Sequence, residues 1–251
     1  RLVGTIGKAA SLAAILSAFA LQAAAPSPAP SPTAPAAPPG AAATASSSAG
    51  FASPGAFLKR VDAAEGDLED GSYVEIDKTT GGGTTTISTT HSNGGNYITV
   101  EQTTGGFTNT FGRYKGQSWT ETFNGTIIPR SNFHRHADPN ALALQHPDDP
   151  NSHVTLSGPN ADGQYVLEIH PADGYDEFRY YDAKTLLLAS VVSYESDRYK
   201  HVRTYSDYRK TYGLTQAFVE RYSDGRPQND QVTTTESFRR VENDFTSLAM
   251  P

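Results

Sequence analysis

The sequence predicts a mainly β (α+β) fold, an antiparallel meander of about ten to twelve strands with one or two short helices. From Gly71 onward, apolar and polar residues alternate with a period of two over short segments, as half-buried strands require. Turn signals such as Asn124-Gly125 and Asp162-Gly163 separate these segments, which indicates consecutive hairpins. Aromatic residues supply most of the bulky apolar side chains, with 13 Tyr and 11 Phe against one Met, and they suit pleated surfaces.

The first fifty residues are expected to be a signal peptide, residues 1–25, and a linker, residues 26–50. An apolar, Ala-rich run follows Arg1 and Lys8 and closes with an A-x-A-like site before Pro26, which is typical of a cleaved export signal. A membrane anchor is the alternative, but the apolar run is short. The linker is rich in Pro, Ala and Ser and cannot bury a core. We therefore expect export to the periplasm or the cell surface.

Residues 51–251 are expected to form one β domain, since about 200 residues is within the range of a single β fold. The domain should open with a helix. Ser53 offers an N-cap and Pro54 a first-turn proline, and apolar residues then recur at helical spacing up to Gly66. A second helical turn is predicted from Pro139, ended by His146-Pro147.

The predicted strands show no alternation with helices, which argues against a parallel nucleotide-binding sheet. The half from Thr79 to Thr126 is rich in Thr and Gly, so its strands are expected to be thinly packed or exposed on one side, and an adhesive function is the alternative. The strand-like segments lie near 72–77, 84–90, 96–102, 106–114, 117–123, 153–157, 164–170, 175–181, 186–195, 199–212, 217–222 and 230–241.

Charge and composition exclude several functional classes. Arg1 and Lys8 are the only charged residues among the first fifty, so the rest of the chain carries 18 basic against 27 acidic residues. Such a surface repels phosphate backbones, and no nucleic-acid partner is expected. The chain has no Cys, which excludes disulfides and thiolate sites. It also lacks G-x-S-x-G, S-x-x-K, H-E-x-x-H, Asp-Thr-Gly and Asp-Ser-Gly, so we predict no catalytic residue, no cofactor and no enzyme activity.

A group of His and Asp residues between positions 134 and 153 is the candidate metal site. Imidazole and carboxylate together suit zinc, but the segment is loop-like and no second spaced pair completes a known signature. A polar loop is the preferred interpretation, and no metal ligand is predicted. The candidates are His134, His136, Asp138, His146, Asp148, Asp149 and His153.

Aromatic residues in two neighbouring strands are the candidate lining of a ligand site. Phe107 and Phe111 fall at even spacing in one strand, and Trp119 and Phe123 do so in the next. If the two faces coincide, the rings form an apolar wall of the kind that lines apolar ligand cavities; ordinary core is the alternative. The predicted ligand-binding residues are Phe107, Phe111, Trp119, Phe123, Leu167 and Ile169.

The region from Tyr175 to Tyr222 is dense in Tyr and Arg, including Phe178-Arg179-Tyr180-Tyr181. Alternation along strands places such residues opposite one another, where cross-strand pairs stabilise the sheet. That structural role is preferred over an anion site.

Several short motifs resemble bacterial exported domains of the lipoprotein-carrier-like (LolA-like) half-barrel type, over about residues 54–243. In that family a D-x-x-T-x-L turn leads into a long strand, as at Asp182–Leu187 here, and an S-D-Y-R strand follows, as at Ser206–Arg209. Gly112 to Trp119 followed by Asn124-Gly125 is similar to the family's central hairpin.

The resemblance implies a strongly curved antiparallel half-barrel that wraps around its helices and holds an apolar or acyl ligand. Our first hypothesis is therefore an exported, non-catalytic binding domain with an apolar ligand. Such domains also occur ahead of retropepsin-like aspartyl protease domains, so the second hypothesis is an accessory domain whose protease partner follows in the full-length protein. A metal- or carbohydrate-binding surface protein is the third. The cavity arginine of the carriers has no assigned counterpart in this sequence.

Overall fold

The computed structural model describes residues 50–122, 124–130, 139–171, 174–196 and 199–242, which lie within one compact unit, Ser48–Pro251. Within these ranges, thirteen antiparallel strands form one open sheet, accompanied by two α-helices. The predicted mainly β fold is confirmed, and the sheet is consistent with a curved half-barrel.

The helices are α1 (Pro54–Glu65) and α2 (Pro139–Gln145), with short 3-10 helices at Pro150–Ser152 and Pro227–Asn229. The strands are β1 (Ser72–Gly81), β2 (Thr84–Asn93), β3 (Asn96–Thr103), β4 (Thr108–Tyr114), β5 (Gln117–Glu121), β6 (Ile127–Arg130), β7 (Val154–Ser157), β8 (Gln164–Ile169), β9 (Glu177–Asp182), β10 (Leu188–Ser196), β11 (Tyr199–Thr211), β12 (Leu214–Ser223) and β13 (Gln231–Val241). The order across the sheet is β6-β5-β4-β3-β2-β1-β13-β12-β11-β10-β9-β8-β7. The sheet is thus two meanders joined where β1 pairs with β13, with β6 and β7 as its edges.

The hairpin turns account for this order. Gly82 and Gly83 both have positive φ and close the β1–β2 hairpin with two residues, as such tight turns require. Lys115-Gly116 and Tyr212-Gly213 form equivalent turns between β4 and β5 and between β11 and β12. Neither turn has the Asn-Gly or Asp-Gly pair that predicts such turns from sequence, because Lys115 and Tyr212 occupy the first position with positive φ.

Strand β6 was not among the predicted segments. It has four residues, includes Pro129 and pairs only with β5 among the described strands. Proline donates no ladder hydrogen bond, so it is tolerated at a sheet edge while it obscures the strand pattern in the sequence.

Helix α1 begins and ends as the sequence predicts. Ser53 is the N-cap and its hydroxyl accepts a hydrogen bond from the backbone N–H of Ala56, at 3.2 Å. Pro54 occupies the first turn, where a missing N–H costs nothing. The helix ends at Gly66, whose φ of 77° favours glycine.

The sheet has two faces, which we call the helix face and the opposite face. The helix face carries α1: Leu167, Ile169 and Tyr181 form one core with Phe57 and Val61 of the helix. Directly paired residues of antiparallel strands lie on the same face, and successive residues along a strand alternate between faces. The strand registers therefore assign each remaining strand residue to the helix face or to the opposite face.

Candidate functional site

Helix α1 covers an apolar patch at one end of the helix face. Phe57, Leu167 and Ile169 have no exposed surface, and the Phe57 ring meets Tyr165 and Tyr181 at centroid distances of 5.4 and 5.1 Å. Burying a side chain of this size contributes about 1.5–3 kcal/mol, so the patch must stay covered. We call the set Phe57, Val61, Tyr165, Leu167, Ile169 and Tyr181 the apolar patch.

The N-terminus of α1 is fixed from outside the helix. Asp148, in the loop after α2, accepts a hydrogen bond from the backbone N–H of Gly55 at 2.8 Å. A carboxylate there satisfies an otherwise unpaired donor and complements the helix dipole. A Cβ at Gly55 would lie 2.2 Å from an Asp148 oxygen, so the contact requires glycine.

A shallow pocket of about 360 Å³ lies beside this contact. Its lining is mostly polar or Pro, and it sits at the end of α1. It meets the core of the apolar patch only at Val154, and its mainly polar lining does not match the predicted apolar cavity. The lining residues are Ala52, Ser53, Pro54, Pro147, Asp148, Asp149, Pro150, His153, Val154 and Thr155.

Beside Tyr181 of the apolar patch, on the same strand β9, the helix face becomes ionic. Arg179 pairs directly with Leu167, and Glu177 pairs with Ile169. The Arg179 Nε donates to Glu177 Oε1 at 2.6 Å, and both side chains are largely buried, at 19% and 14% exposed. Two charges in such a setting are tolerated only when paired.

The ionic character continues across the next strands. Val191 of β10 pairs directly with Arg179 of β9 and with Arg203 of β11. Arg203 therefore also lies on the helix face. Its Nε lies 3.7 Å from Glu220 Oε1 of β12. Glu220 in turn pairs with Thr233 of β13.

At β1 to β3 the same face carries hydroxyls and carboxylates beside the buried Tyr73 ring, which stacks on Phe238 of β13 at 5.4 Å. Thr235 donates to Asp77 Oδ1 at 2.7 Å, and Thr90 and Thr99 are hydrogen-bonded at 2.9 Å. Thr90 and Thr99 are buried, although threonine is usually exposed. We call the half-buried charged residues of this face, Glu177, Arg179, Arg203, Glu220, Asp77 and Glu75, the polar strip.

Burial shifts the acids near this surface toward their protonated forms. Burial and then the Asp77 carboxylate raise the pKa of Glu75 to about 8. Burial and then Asp62 raise the pKa of Glu65, at the end of α1, to about 7, against the opposing effect of Arg179. Burial also raises the pKa of Glu220, although Arg203 lowers it. Burial is the largest cause for all three residues, so their carboxyl groups are held nearer the neutral form.

The structure does not bring the predicted aromatic wall together. Phe111 pairs with Thr120, whereas Trp119 pairs with Gly112, so the Phe111 and Trp119 rings lie on opposite faces of the sheet. Phe107 lies in the turn before β4 and is 63% exposed. Phe123 lies outside the described residues. Trp119 instead packs over Gly112, where an added Cβ would lie 2.8 Å from the ring.

Leu167 and Ile169 lie in the apolar patch, where they contact α1. Their role as ligand contacts stays a prediction. Phe57, Tyr165 and Tyr181 belong to the same patch and were missed as candidates. Tyr165 could have been predicted from the sequence, because it lies two residues before Leu167 and so on the same face of the strand.

The candidate metal site gains no support from the described residues. Among the described residues no group of three or more His, Asp or Glu could hold a metal ion, and His134, His136 and Asp138 lie outside them. In that same part of the chain, no helix is long and apolar enough to cross a membrane.

Comparison with solved structures identifies the architecture. A LolA superfamily protein from Nitrosomonas europaea superposes with a TM-score of 0.54 at 12% identity, over 79% of this chain and 98% of that one. The domain has a LolA-like fold. A Vibrio parahaemolyticus domain described as an outer membrane lipoprotein-sorting protein gives 0.53 at 11% identity, over 75% and 94% of the two chains.

A DUF1329 family protein from Desulfovibrio piger also shares this LolA-like fold, with a TM-score of 0.52 at 20% identity over 77% of this chain and 96% of that one. Neither a scan of protein-family models nor a search of curated proteins gives a match. At these identities the likeness concerns the fold, and the function has to be argued from the site.

Proposed function

We propose that this chain is an exported, non-catalytic binding domain that holds an apolar ligand between α1 and the sheet residues of the apolar patch. The observation that carries the proposal is the contact of Phe57 with Leu167 and Ile169, all without exposed surface. Apart from the stacked Tyr73 and Phe238 rings, the rest of the helix face is mainly ionic or hydroxyl-lined. The fold is shared with a domain described as lipoprotein-sorting, which agrees with this function.

The ligand must move α1 away from the sheet and enter between the two, because the Phe57 ring packs against Tyr165 and Tyr181. The helix has twelve residues and buries Phe57 and Val61 in the core. An acyl chain between them offers apolar surface both to Phe57 and Val61 of α1 and to the sheet residues of the patch, so its entry leaves neither side uncovered.

The test is binding of an uncharged apolar dye, N-phenyl-1-naphthylamine, followed by its own emission. Trp119 is a poor reporter because its ring lies on the opposite face. We expect saturable enhancement of dye emission by the wild type. Leu167→Asn should weaken binding by about tenfold, because an amide without a hydrogen-bond partner costs about 1–3 kcal/mol in an apolar site.

Leu142→Asn is the matched control, because Leu142 lies on α2 and is 46% exposed. It should bind the dye as the wild type does. Circular dichroism of both variants establishes that they are folded. Absence of saturable binding by the folded wild type, or equal binding by both variants, contradicts the proposal.

The finer hypotheses each have a test of their own. An accessory role beside an aspartyl protease requires an in-frame Asp-Thr-Gly or Asp-Ser-Gly downstream in the gene. A metal-binding role requires stoichiometric metal in the purified protein. Export to the periplasm or cell surface predicts a mature N-terminus near Pro26, which N-terminal sequencing of the secreted form determines.

A further inference from the structure

We propose that the free edge of β7 binds an extended segment of a partner protein, which adds to the sheet as an antiparallel strand and places a Lys or Arg beside Asp148 and Asp149. This surface lies apart from the space between α1 and the sheet, and it does not depend on the proposed function. It is indicated by the direction of the backbone hydrogen bonds at the two sheet edges and by the charge beside β7.

The ladder between β7 and β8 fixes which backbone groups of β7 face outward. The N–H of His170 donates to the carbonyl of His153 at 3.2 Å, so these two residues form a hydrogen-bonded pair. Hydrogen-bonded and non-hydrogen-bonded pairs alternate along antiparallel strands, and the register continues through β7 without a shift. The N–H and C=O groups of Val154 and Leu156 therefore point away from β8, and no other described strand pairs with them.

The other sheet edge, β6, is protected against an added strand. The N–H of Thr122 donates to the carbonyl of Thr126 at 2.9 Å, and the same alternation directs the backbone groups of Ile127 and Pro129 outward. Because Pro129 has no N–H, the outward ladder of β6 is interrupted there. Proline is a common protection of sheet edges, and β7 contains none. Of the two edges, β7 is therefore the one that can bind another strand.

The shallow pocket of about 360 Å³ lies at this same edge. Val154 and Thr155 both line it, although Val154 pairs with Ile169 on the helix face and Thr155 is on the opposite face. The pocket thus lies beside the strand itself and not over one face of the sheet. It provides room for an added strand along the first half of β7.

The side chains of β7 predict the pattern of the added segment. Val154 belongs to the core and Leu156 packs against it, both on the helix face. Residues of an antiparallel strand that exchange hydrogen bonds with these two lie on the same face, so they should be apolar. The residue between them lies beside Thr155, which is exposed, so it should be polar. Addition of such a strand is a common way for a sheet edge to recognise a peptide.

The charge beside β7 predicts how the segment ends. Asp148 and Asp149 are exposed and line the pocket next to the first residues of β7. An antiparallel strand reaches this point with its C-terminal end, so a Lys or Arg two residues after the second apolar residue complements the acids. A second copy of this chain, paired through its own β7, would bring residues 157–160 here, which carry no charge. The acids therefore favour a cationic partner segment over a second copy.

The experiment measures binding of a synthetic peptide, Thr-Val-Thr-Val-Thr-Lys-amide with fluorescein at its N-terminus, to the full chain by fluorescence anisotropy. The N–H groups of its two Val residues should donate to the carbonyls of Leu156 and Val154. N-methylation of both Val residues removes these donors and should weaken binding by about tenfold or more. N-methylation of the two Thr residues that follow them changes N–H groups that point away from β7, so it should alter the affinity by no more than about twofold. The two methylated peptides have the same composition and charge, so each controls for the other.

A peptide that ends in Glu instead of Lys should bind about fivefold more weakly at low salt, because its charge is repelled by Asp148 and Asp149. Asp149→Asn should reduce this difference to about twofold, because the variant keeps an acceptor for the N–H of Asn151 and loses the charge. Asp162→Asn is the control, since Asp162 is exposed and lies in the connection that follows the other end of β7. It should keep the fivefold difference. Circular dichroism establishes that both variants are folded.

Absence of saturable binding by the folded wild type, or equal loss of affinity for the two methylated peptides, overturns the added strand. A Glu peptide that binds as tightly as the Lys peptide overturns the cationic partner. If light scattering shows a dimer that the peptide dissociates, the edge belongs to a second copy, which also overturns the proposal. Dye binding by the apolar patch stands or fails separately from these results.

Discussion

Gly66, at the end of α1, lies in backbone contact with Gly213, in the turn between β11 and β12. A Cβ added at Gly66 would lie 2.4 Å from the carbonyl oxygen of Gly213, and one at Gly213 would lie 2.4 Å from that of Asp67. The backbone N–H of Glu69 donates to the carbonyl of Tyr212 at 2.9 Å beside this crossing. The segment after α1 is therefore fixed to the sheet at a point where only glycine fits.

Gly213→Ala should destabilise the fold by about 2–4 kcal/mol, because the new methyl group adds an overpacking cost to the strain of a left-handed alanine. Gly83→Ala is the matched control: Gly83 also occupies the second position of a two-residue turn, with φ 76° against 87°, and no atom lies within 4 Å of its added Cβ. It should lose only about 1 kcal/mol. Urea unfolding measures the free energy of unfolding of both variants. Equal losses would contradict the requirement for glycine where Gly213 contacts the segment after α1.

Asp148→Ala should destabilise the domain by about 1 kcal/mol, because the N–H of Gly55 loses its acceptor and the helix dipole loses a complementary charge. Asp148→Asn keeps an acceptor oxygen, so it should lose clearly less. Thermal unfolding at low salt compares the two. A larger loss for the Asn variant than for the Ala variant would contradict this role of Asp148.

Gly112→Ala should destabilise the sheet by about 1–3 kcal/mol, because its Cβ would meet the Trp119 ring at 2.8 Å and the Tyr97 carbonyl at 2.5 Å. Trp119 is the single Trp of the chain, so its emission reports the site directly. We expect a shift to longer wavelength as the buried ring becomes exposed. Gly105→Ala, whose nearest neighbour is a hydroxyl at 3.8 Å, should leave emission and stability almost unchanged.

Stability should fall as the pH rises from about 5 to about 8. Glu75 has a folded-state pKa of about 8, above its unfolded value of 4.5, so the folded state binds the extra proton. Its contribution is fully present below the unfolded pKa and is lost as the pH rises through the folded one. Glu75→Gln should remove part of this decline, by about 1 kcal/mol or more at pH 8.

Urea midpoints from pH 5 to pH 8 measure this effect. Glu236→Gln is the control, because the Glu236 side chain is 48% exposed and its only described ion pair is a 4.0 Å contact with Lys78. It should leave the slope unchanged. A wild type whose stability is flat or rises over this range would contradict a buried, protonated Glu75.

The sequence by itself determined the local elements. Ser53, Pro54 and Gly66 define α1 through capping and backbone preferences, and the period of two with glycine turns defines the hairpins. These signals act between residues close in the chain, so no tertiary contact is needed to read them. The short edge strand β6 is the exception, because Pro129 masks it.

Only the tertiary structure decided which faces meet. Phe111 and Trp119 have the spacing of a common wall, but the register of β4 and β5 places them on opposite faces. A shift of one residue in pairing reverses the face of every side chain, and the two-residue turn Lys115-Gly116 that sets this register lacks the Asn-Gly or Asp-Gly signal of such turns. The apolar patch joins Phe57 to Leu167 across more than a hundred residues, and the polar strip joins Asp77 to Glu220, because pairing of β1 with β13 brings the two halves of the chain together.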